Sequence, residues 1–284
     1  VGITYNRQTD VFPGSHALTS GGLHFNLNTA SLNQRFKLQL TASSAVTDNQ
    51  LPGVDLTADA LRLVPVAPAL FSADTLNWEL DRNGRQTWEN PLVNSYNIQF
   101  ASISRALTSS LTAGYTFLPG LELRVQLGFS QAQSNSSSKT LLTAIPPSLR
   151  PFRTNSASFS NSSASNLIAE PQLSYNSRYG KLRFDGLMGG TLQQNFTQSW
   201  FMQGTGYTSD LLLNGITGAS TISQGLDKST YKYNALFTRL GFNFDNQYLL
   251  NLSGRRDGSS RFGDKRRFHN FGSVALGWII SEAR

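Results

Sequence analysis

The sequence predicts an all-β protein, the wall of an antiparallel transmembrane β-barrel with about ten strands. Three observations carry that expectation. Apolar and polar residues alternate with a period of two from end to end. Tight turns alternate with long connections rich in Ser, Asn, Gly and Pro. Aromatic residues gather beside the tight turns.

The hairpins can be read in order. Leu23, Phe25 and Leu27 alternate with His24, Asn26 and Asn28; after a turn near Ser31 to Gln34, Phe36, Leu38, Leu40 and Ala42 alternate with Lys37, Gln39 and Thr41. Leu111, Ala113, Tyr115 and Phe117 run into Leu118-Pro119-Gly120, then Leu121, Leu123, Val125, Leu127 and Phe129 alternate with Glu122, Arg124, Gln126 and Gly128. Leu167, Ala169, Leu173 and Tyr175 lead to Tyr179-Gly180, then Leu182, Phe184 and Gly186. Leu236, Leu240, Phe242 and Phe244 lead to Asp245-Asn246-Gln247, then Tyr248, Leu250 and Leu252. Each strand thus has one apolar and one polar face.

Between the hairpins lie connections of roughly Asp48 to Pro91, Ser134 to Ser163 and Asn195 to Ser229. Short turns on one side and long loops on the other are the habit of outer-membrane barrels. Tyr115, Phe117, Tyr175, Tyr179, Phe242, Phe244 and Tyr248 stand where an interfacial aromatic girdle belongs. On this reading Leu121, Leu123, Val125, Leu127 and Phe129 face lipid, while Glu122, Arg124, Gln126, Lys37 and Arg183 face the lumen. Trp78, Ser138 and Trp200 are expected in loops at the end opposite the tight turns. Asp55 to Val64 predicts a short helix within a loop, capped by Asp55 and ended by Pro65 and Pro68.

Composition narrows the function classes. Charged residues make up 14% and aromatic residues 11% of 284 residues, with mean hydropathy -0.27. That is too apolar for a disordered chain and too polar for a helical membrane protein. No run of about 18 apolar residues exists. There is no cysteine, hence no disulfide framework and no thiolate metal site. The net charge of +7 raises nucleic acid as a partner, but the basic residues are dispersed along the strands and clustered only from Arg255 to Arg267. Nucleic acid is therefore set aside.

No catalytic signature is present: no Gly-x-Ser-x-Gly, no His-Glu-x-x-His and no phosphate loop. His16, His24 and His269 are too scattered for a metal site, and no cofactor is expected. The segment Arg255 to Arg267 has two readings. In one, Arg255, Arg256, Arg261, Arg266 and Arg267 form a patch for an anionic ligand. In the other, which we favour, Arg255 and Arg256 pair with acidic residues of the lumen, Asp257-Gly258 makes a turn and Gly263 permits a tight bend. Trp78, Trp88, Trp200 and Phe201 are candidate ligand-binding residues in external loops, able to stack on a sugar or hold a peptide side chain, or to pack the loops themselves.

One stretch adds a resemblance. Tyr248-Leu-Leu-Asn-Leu-Ser-Gly-Arg-Arg-Asp-Gly-Ser-Ser-Arg-Phe-Gly263, followed by Phe271-Gly-Ser-Val-Ala-Leu-Gly-Trp-Ile-Ile-Ser-Glu282, resembles the corresponding segment of SusC/RagA-type TonB-dependent outer-membrane transporters. Arg255, Arg256, Asp257, Gly258, Arg261, Gly263 and Trp278 carry the motif. Leu61 to Pro68 with Asn90-Pro91, Phe117 to Leu123 and Tyr175 to Leu182 are similar to further segments of that family, in the same order. Phe268-His269-Asn270 and Ile279-Ile280 depart from its pattern.

The resemblance implies a plugged barrel of about 22 strands in the cell outer membrane, energised by TonB through an N-terminal box and working beneath a SusD-like surface lipoprotein. It implies active import of oligosaccharides or peptides, without covalent chemistry, so no enzyme. The chain opens at Val1 in what reads as a strand. Residues 1–284 are accordingly expected to be an internal part of a single barrel domain, with plug and TonB box elsewhere. The alternative is a surface or soluble β-rich module that binds glycans, such as an adhesin.

Overall fold

The computed structural model describes residues 1–12, 14–73, 75–263 and 267–282. In chain order the strands and helices are β1 (Gly2–Thr9), β2 (Ala17–Ala30), β3 (Phe36–Asn49), α1 (Thr57–Arg62), β4 (Phe71–Ser72), β5 (Thr75–Leu76) and α2 (Val93–Tyr96). There follow β6 (Ile98–Leu118), β7 (Leu121–Thr140), β8 (Ser156–Tyr179), β9 (Leu182–Thr205), β10 (Thr221–Phe244), β11 (Tyr248–Ser259) and β12 (Phe268–Trp278). Ten strands form one sheet in the order β1-β2-β3-β6-β7-β8-β9-β10-β11-β12, each antiparallel to its neighbour in sequence. The small pair β4-β5 stands apart, inside the connection between β3 and β6.

Such a meander places every second connection at the same end of the sheet. The β6–β7, β8–β9 and β10–β11 turns share one end, and the long connections share the other. Backbone chemistry shapes these turns. Gly120 has φ 88°, and the backbone carbonyl of Asn176 occupies the space a Cβ there would need. Asp245 and Asn246 both have φ 55°, a left-handed conformation that Asp and Asn tolerate better than most residues. Lys181 Nζ, in the adjacent turn, reaches Asp245 Oδ2 at 2.5 Å.

Pairing register assigns the faces, because residues opposite one another across antiparallel strands point the same way. Leu27, Leu40, Leu111, Leu127, Ala169 and Leu192 form one continuous row. Lys37, Arg124, Gln172 and Gly189 form a row on the opposite face. The apolar rows face lipid and the polar rows face the lumen, as the alternation predicts. Arg124 Nη2 lies 3.0 Å from Glu122 Oε1, one pleat away on the lumen face.

The lipid-facing belt slides along the strands. On β2 it is centred on Phe25 and on β11 on Leu250, yet carrying Phe25 straight across the pairs leads through Leu167 and Lys232 to Ser260. The belt therefore moves by about ten residues over seven strand steps, which at about 3.3 Å per residue and 4.8 Å per strand means a tilt of roughly 45°. On β9 the belt spans Leu182–Leu192, and at that tilt its height is about 25 Å, the thickness of the apolar band on outer-membrane barrels. At its lower edge the rings touch: Tyr115 and Phe117 meet edge to face at 5.0 Å, and Tyr248 and Trp278 stack at 6.5 Å.

The strands run farther than the sequence suggests. Ser134 to Ser163 reads as a loop, but β7 continues to Thr140 and β8 begins at Ser156. Likewise β9 continues to Thr205 and β10 begins at Thr221. The upper parts of β7 and β8 are mostly polar on both faces, and those of β9 and β10 scatter Phe196, Trp200, Phe201, Met202, Ile222 and Leu226 among polar residues, so no sustained alternation marks them. Backbone pairing alone extends the wall.

The external connections are themselves folded. Leu56, Leu76 and Leu92 make a small core beneath the long connection, joined by Phe12, Val54, Leu70 and Val93. Asn90, 3% exposed, donates to the carbonyls of Leu70 and Asn77 and accepts from Leu92 N–H. Helix α1 is shorter than the expected 55–64, with Leu56 at its N-cap position; Asp55 Oδ1 still accepts from Thr57 N–H at 2.9 Å. Hydrogen bonding from Thr57, its side chain first and its backbone N–H second, holds the Asp55 carboxyl below the usual range. A second core of Ala157, Tyr207 and Leu213 joins the β7–β8 and β9–β10 connections. Burial pushes the Tyr207 phenol up.

Candidate lumen site and external loops

The Arg-Arg-Asp-Gly motif lies within β11 and is not a turn. Gly258 pairs with Phe268 and Asp257 with His269, and the chain turns only after Ser259. The alternation of a strand then separates the two arginines, since neighbours in a strand point to opposite faces.

Arg255 faces the lumen. Its Nε donates to Asp257 Oδ1 at 2.7 Å and its Nη2 donates to Tyr233 Oη at 2.6 Å, while Tyr233 Oη donates to the same Asp257 oxygen at 3.0 Å. The guanidinium also lies 5.7 Å from the centroid of Phe237. The triangle is closed, so the charge is held between β10 and β11. Arg261 lies 4.7 Å over Tyr231.

Arg256 faces lipid, contrary to the expectation that both arginines meet lumen acids. Its guanidinium stands 5.0 Å over Phe268. Gly258 makes this possible, because a Cβ there would run into the Phe268 ring and the Asn234 side chain. An added Cβ at Gly263 would meet open space, and its φ lies outside the left-handed region, so no tight bend requires that glycine. The five arginines do not form one anion patch: Arg255 and Arg256 are on opposite faces, and Arg266 lies outside the described residues. Trp278 ends β12 in the lower aromatic girdle.

The four candidate aromatics are likewise dispersed. Trp78, 8% exposed, is packed within the long connection, and Trp88 is half-buried there. Trp200 and Phe201 are on β9, not in a loop, and they point to opposite faces. Phe201, 50% exposed and lying over Gly225, is the one of the four that enters the lumen from the wall. Sequence reasoning missed Tyr233, whose position opposite Ser259 becomes visible only from the register of β10 against β11.

The lumen face is graded. Near the tight turns it carries Lys37, Arg124, Arg183 and Arg239 with Glu122, Glu170 and Asp185, while Arg255 and Asp257 lie toward the loop end of β11. Nearer the loops Ser20, Thr47, Ser104, Ser134, Ser162 and Ser199 form one row across six strands, ended by Asp227. Ser104 Oγ donates to Ser134 Oγ at 3.1 Å, and Ser136 and Ser160 hydroxyls meet at 2.7 Å. A ligand entering from the loop side meets these hydroxyls together with Asp227 and the pair of Arg255 and Asp257, and the remaining charges lie nearer the tight turns.

No protein-family model matches the chain. A TonB-dependent receptor, P26, of Formosa agariphila is 26% identical over 204 residues, 70% of this chain and 19% of that protein. TonB-dependent receptor SusC of Bacteroides thetaiotaomicron is 30% identical over 177 residues, 59% of this chain and 16% of that protein. The chain is similar to the barrel wall of SusC-like TonB-dependent receptors. The SusC-like wall belongs to the outer membrane, with its loops outward and its tight turns on the periplasmic side. The structure of the RagAB peptide transporter superposes with a TM-score of 0.68 and 20% identity, covering 94% of this chain and 31% of that one. That likeness is one of fold. The chain spans less than a fifth of the length of either curated relative, and these relatives are named as receptors, not enzymes.

Proposed function

We propose that this SusC-like wall serves TonB-dependent import of an oligosaccharide or a peptide across the outer membrane. The observation that carries the reading is the two-faced sheet: an apolar belt about 25 Å tall outside, and inside a polar wall of hydroxyls and nearly balanced charges. The names of the relatives support TonB-dependent import, RagAB being a peptide transporter, and the resemblance to SusC/RagA-type transporters leaves oligosaccharide beside peptide as cargo. Residues 1–284 form part of one barrel domain, the plug and TonB box belonging to other parts of the receptor.

In this reading no bond of the cargo is made or broken. The Ser row and Phe201 offer hydrogen bonds and a ring face to the incoming chain. The triangle of Arg255, Asp257 and Tyr233 is a fixed polar patch toward the loop end of the wall. A SusD-like lipoprotein covers the loop end, where Trp78 and Trp88 stiffen the connection it meets. The TonB complex supplies the energy from the periplasm.

The test is growth. A strain lacking the full-length gene is grown on single oligosaccharides or on peptides as sole carbon source, with complementation by the wild-type and Phe201→Ala receptors. Loss of growth on one class, restored by wild type and weakened several-fold by F201A, is expected. Unchanged uptake of every class would overturn import.

A further inference from the structure

The lipid-facing wall carries a site that import does not use. We propose that the groove at the upper edge of the apolar belt, between β8 and β12, binds a phosphorylated, acylated glycolipid of the outer leaflet. The groove has a volume of about 550 Å³ and is lined by Leu167 and Leu192 from the belt, by Phe268, and by Lys232 and Arg267. Lys232 falls in the row of Leu167, and Phe268 in the row of Leu192, so these side chains share the outward face. Arg256 stacks on Phe268 from the next outward position of β11. Greasy walls below and cations above match an acyl chain joined to a phosphate.

Charge complementarity selects the occupant. Among the described strand residues the outward face bears Arg7, Arg105, Lys139, Lys228, Lys232 and Arg256 against one acid, Asp48. The lumen face of the same strands is nearly balanced, with Lys37, Arg124, Arg178, Arg183, Arg239 and Arg255 against Glu122, Glu170, Asp185, Asp227 and Asp257. Every outward cation lies on the loop side of the belt. Neither Lys232 nor Arg256 takes part in the ion pairs formed among the described residues. A bare cation beside lipid is costly unless an anion meets it. The anion at that level of an outer leaflet is the phosphate of its glycolipid. Gly258 contributes by admitting the Phe268 ring, which forms one wall of the groove and over which the Arg256 guanidinium stands.

The experiment uses the full-length receptor, delipidated in detergent, and follows its melting temperature as purified lipid A is added. A saturable rise is expected, with at least a tenfold weaker response to dephosphorylated lipid A and none to inorganic phosphate at the same concentrations. K232A/R256A should lose the rise at least tenfold, Lys232→Arg should retain it, and Lys139→Ala, higher on the wall, should leave it unchanged. Equal responses to phosphorylated and dephosphorylated lipid would overturn the proposal in favour of plain greasy contact. Saturable binding of inorganic phosphate alone would overturn it in favour of a simple anion site. If K232A/R256A does not fold, the comparison of the three ligands on wild type still decides. Cargo plays no part in this assay, so a failure here leaves the import reading standing and the reverse also holds.

Discussion

A charge placed on one face of β7 and then on the other separates lipid from lumen. Val125 is the middle of the belt on its strand, with Leu121 and Leu123 on one side and Leu127 and Phe129 on the other, and it pairs with Ala113 and Pro171. Gln126, one residue on, faces the lumen and pairs with Glu170. Val125→Arg puts a guanidinium near the bilayer midplane, at a cost of about 2–4 kcal/mol. Gln126→Arg gives the same charge a carboxylate opposite, an effect of about 0.5 kcal/mol or less and favourable in sign. Leu121→Arg sits at the periplasmic edge, where the cost of the charge falls to about 0–1 kcal/mol. The measurement is guanidinium unfolding of the full-length receptor refolded into vesicles, read by the loss of its heat-resistant gel mobility. V125R should lie well below Q126R, a gap of about 3 kcal/mol being more than a hundredfold in the folding equilibrium. If Q126R were as destabilising as V125R, the face assignment would be wrong and the barrel register with it.

Three further outcomes follow from single observations. Gly120→Val forces a β-branched residue to φ 88° against the Asn176 carbonyl and should cut barrel assembly sharply, seen as lost outer-membrane yield. Asn155→Ala removes a side chain 2% exposed that donates to Asp210 and accepts from Tyr207 N–H; it should open the paired external connections to protease, at a cost of about 1–3 kcal/mol, while the strands stay protected. Residues 1–284 expressed alone leave one edge each of β1 and β12 unpaired beside an apolar face, and should aggregate in water; a monomeric, cooperatively folded, detergent-free product would favour the soluble binding module instead.

Within the bilayer the fold was legible because the environment imposes a period. Leu121 to Phe129 alternate with Glu122 to Gly128 because lipid on one side and water on the other leave each position a single acceptable chemistry. Above the bilayer that constraint lapses. Ser134 to Thr140 are polar at every position and Ser156 to Ser163 at all but Ala157 and Phe159, a composition that an exposed strand shares with a loop. What makes them strands is the partner: Ser136 meets Ser160 and Ser138 meets Ser158, pairings that no local pattern announces.

The site was less legible for the same physical reason. Arg255 and Arg256 look like one cationic unit, and Trp200 and Phe201 look like one aromatic unit, only while their segments are imagined as loops. Once each pair is placed on a strand, pleating divides it between two solvents: Arg255 closes a polar triangle in the lumen while Arg256 lies on a phenyl ring beside lipid. A motif written in consecutive residues of a barrel strand therefore serves two functions at once. In the proposed import reading its lumen half answers to the cargo, its outer half to the membrane. For β11 this means that Asp257 substitutions should be felt in uptake, and Arg256 substitutions in the response to lipid.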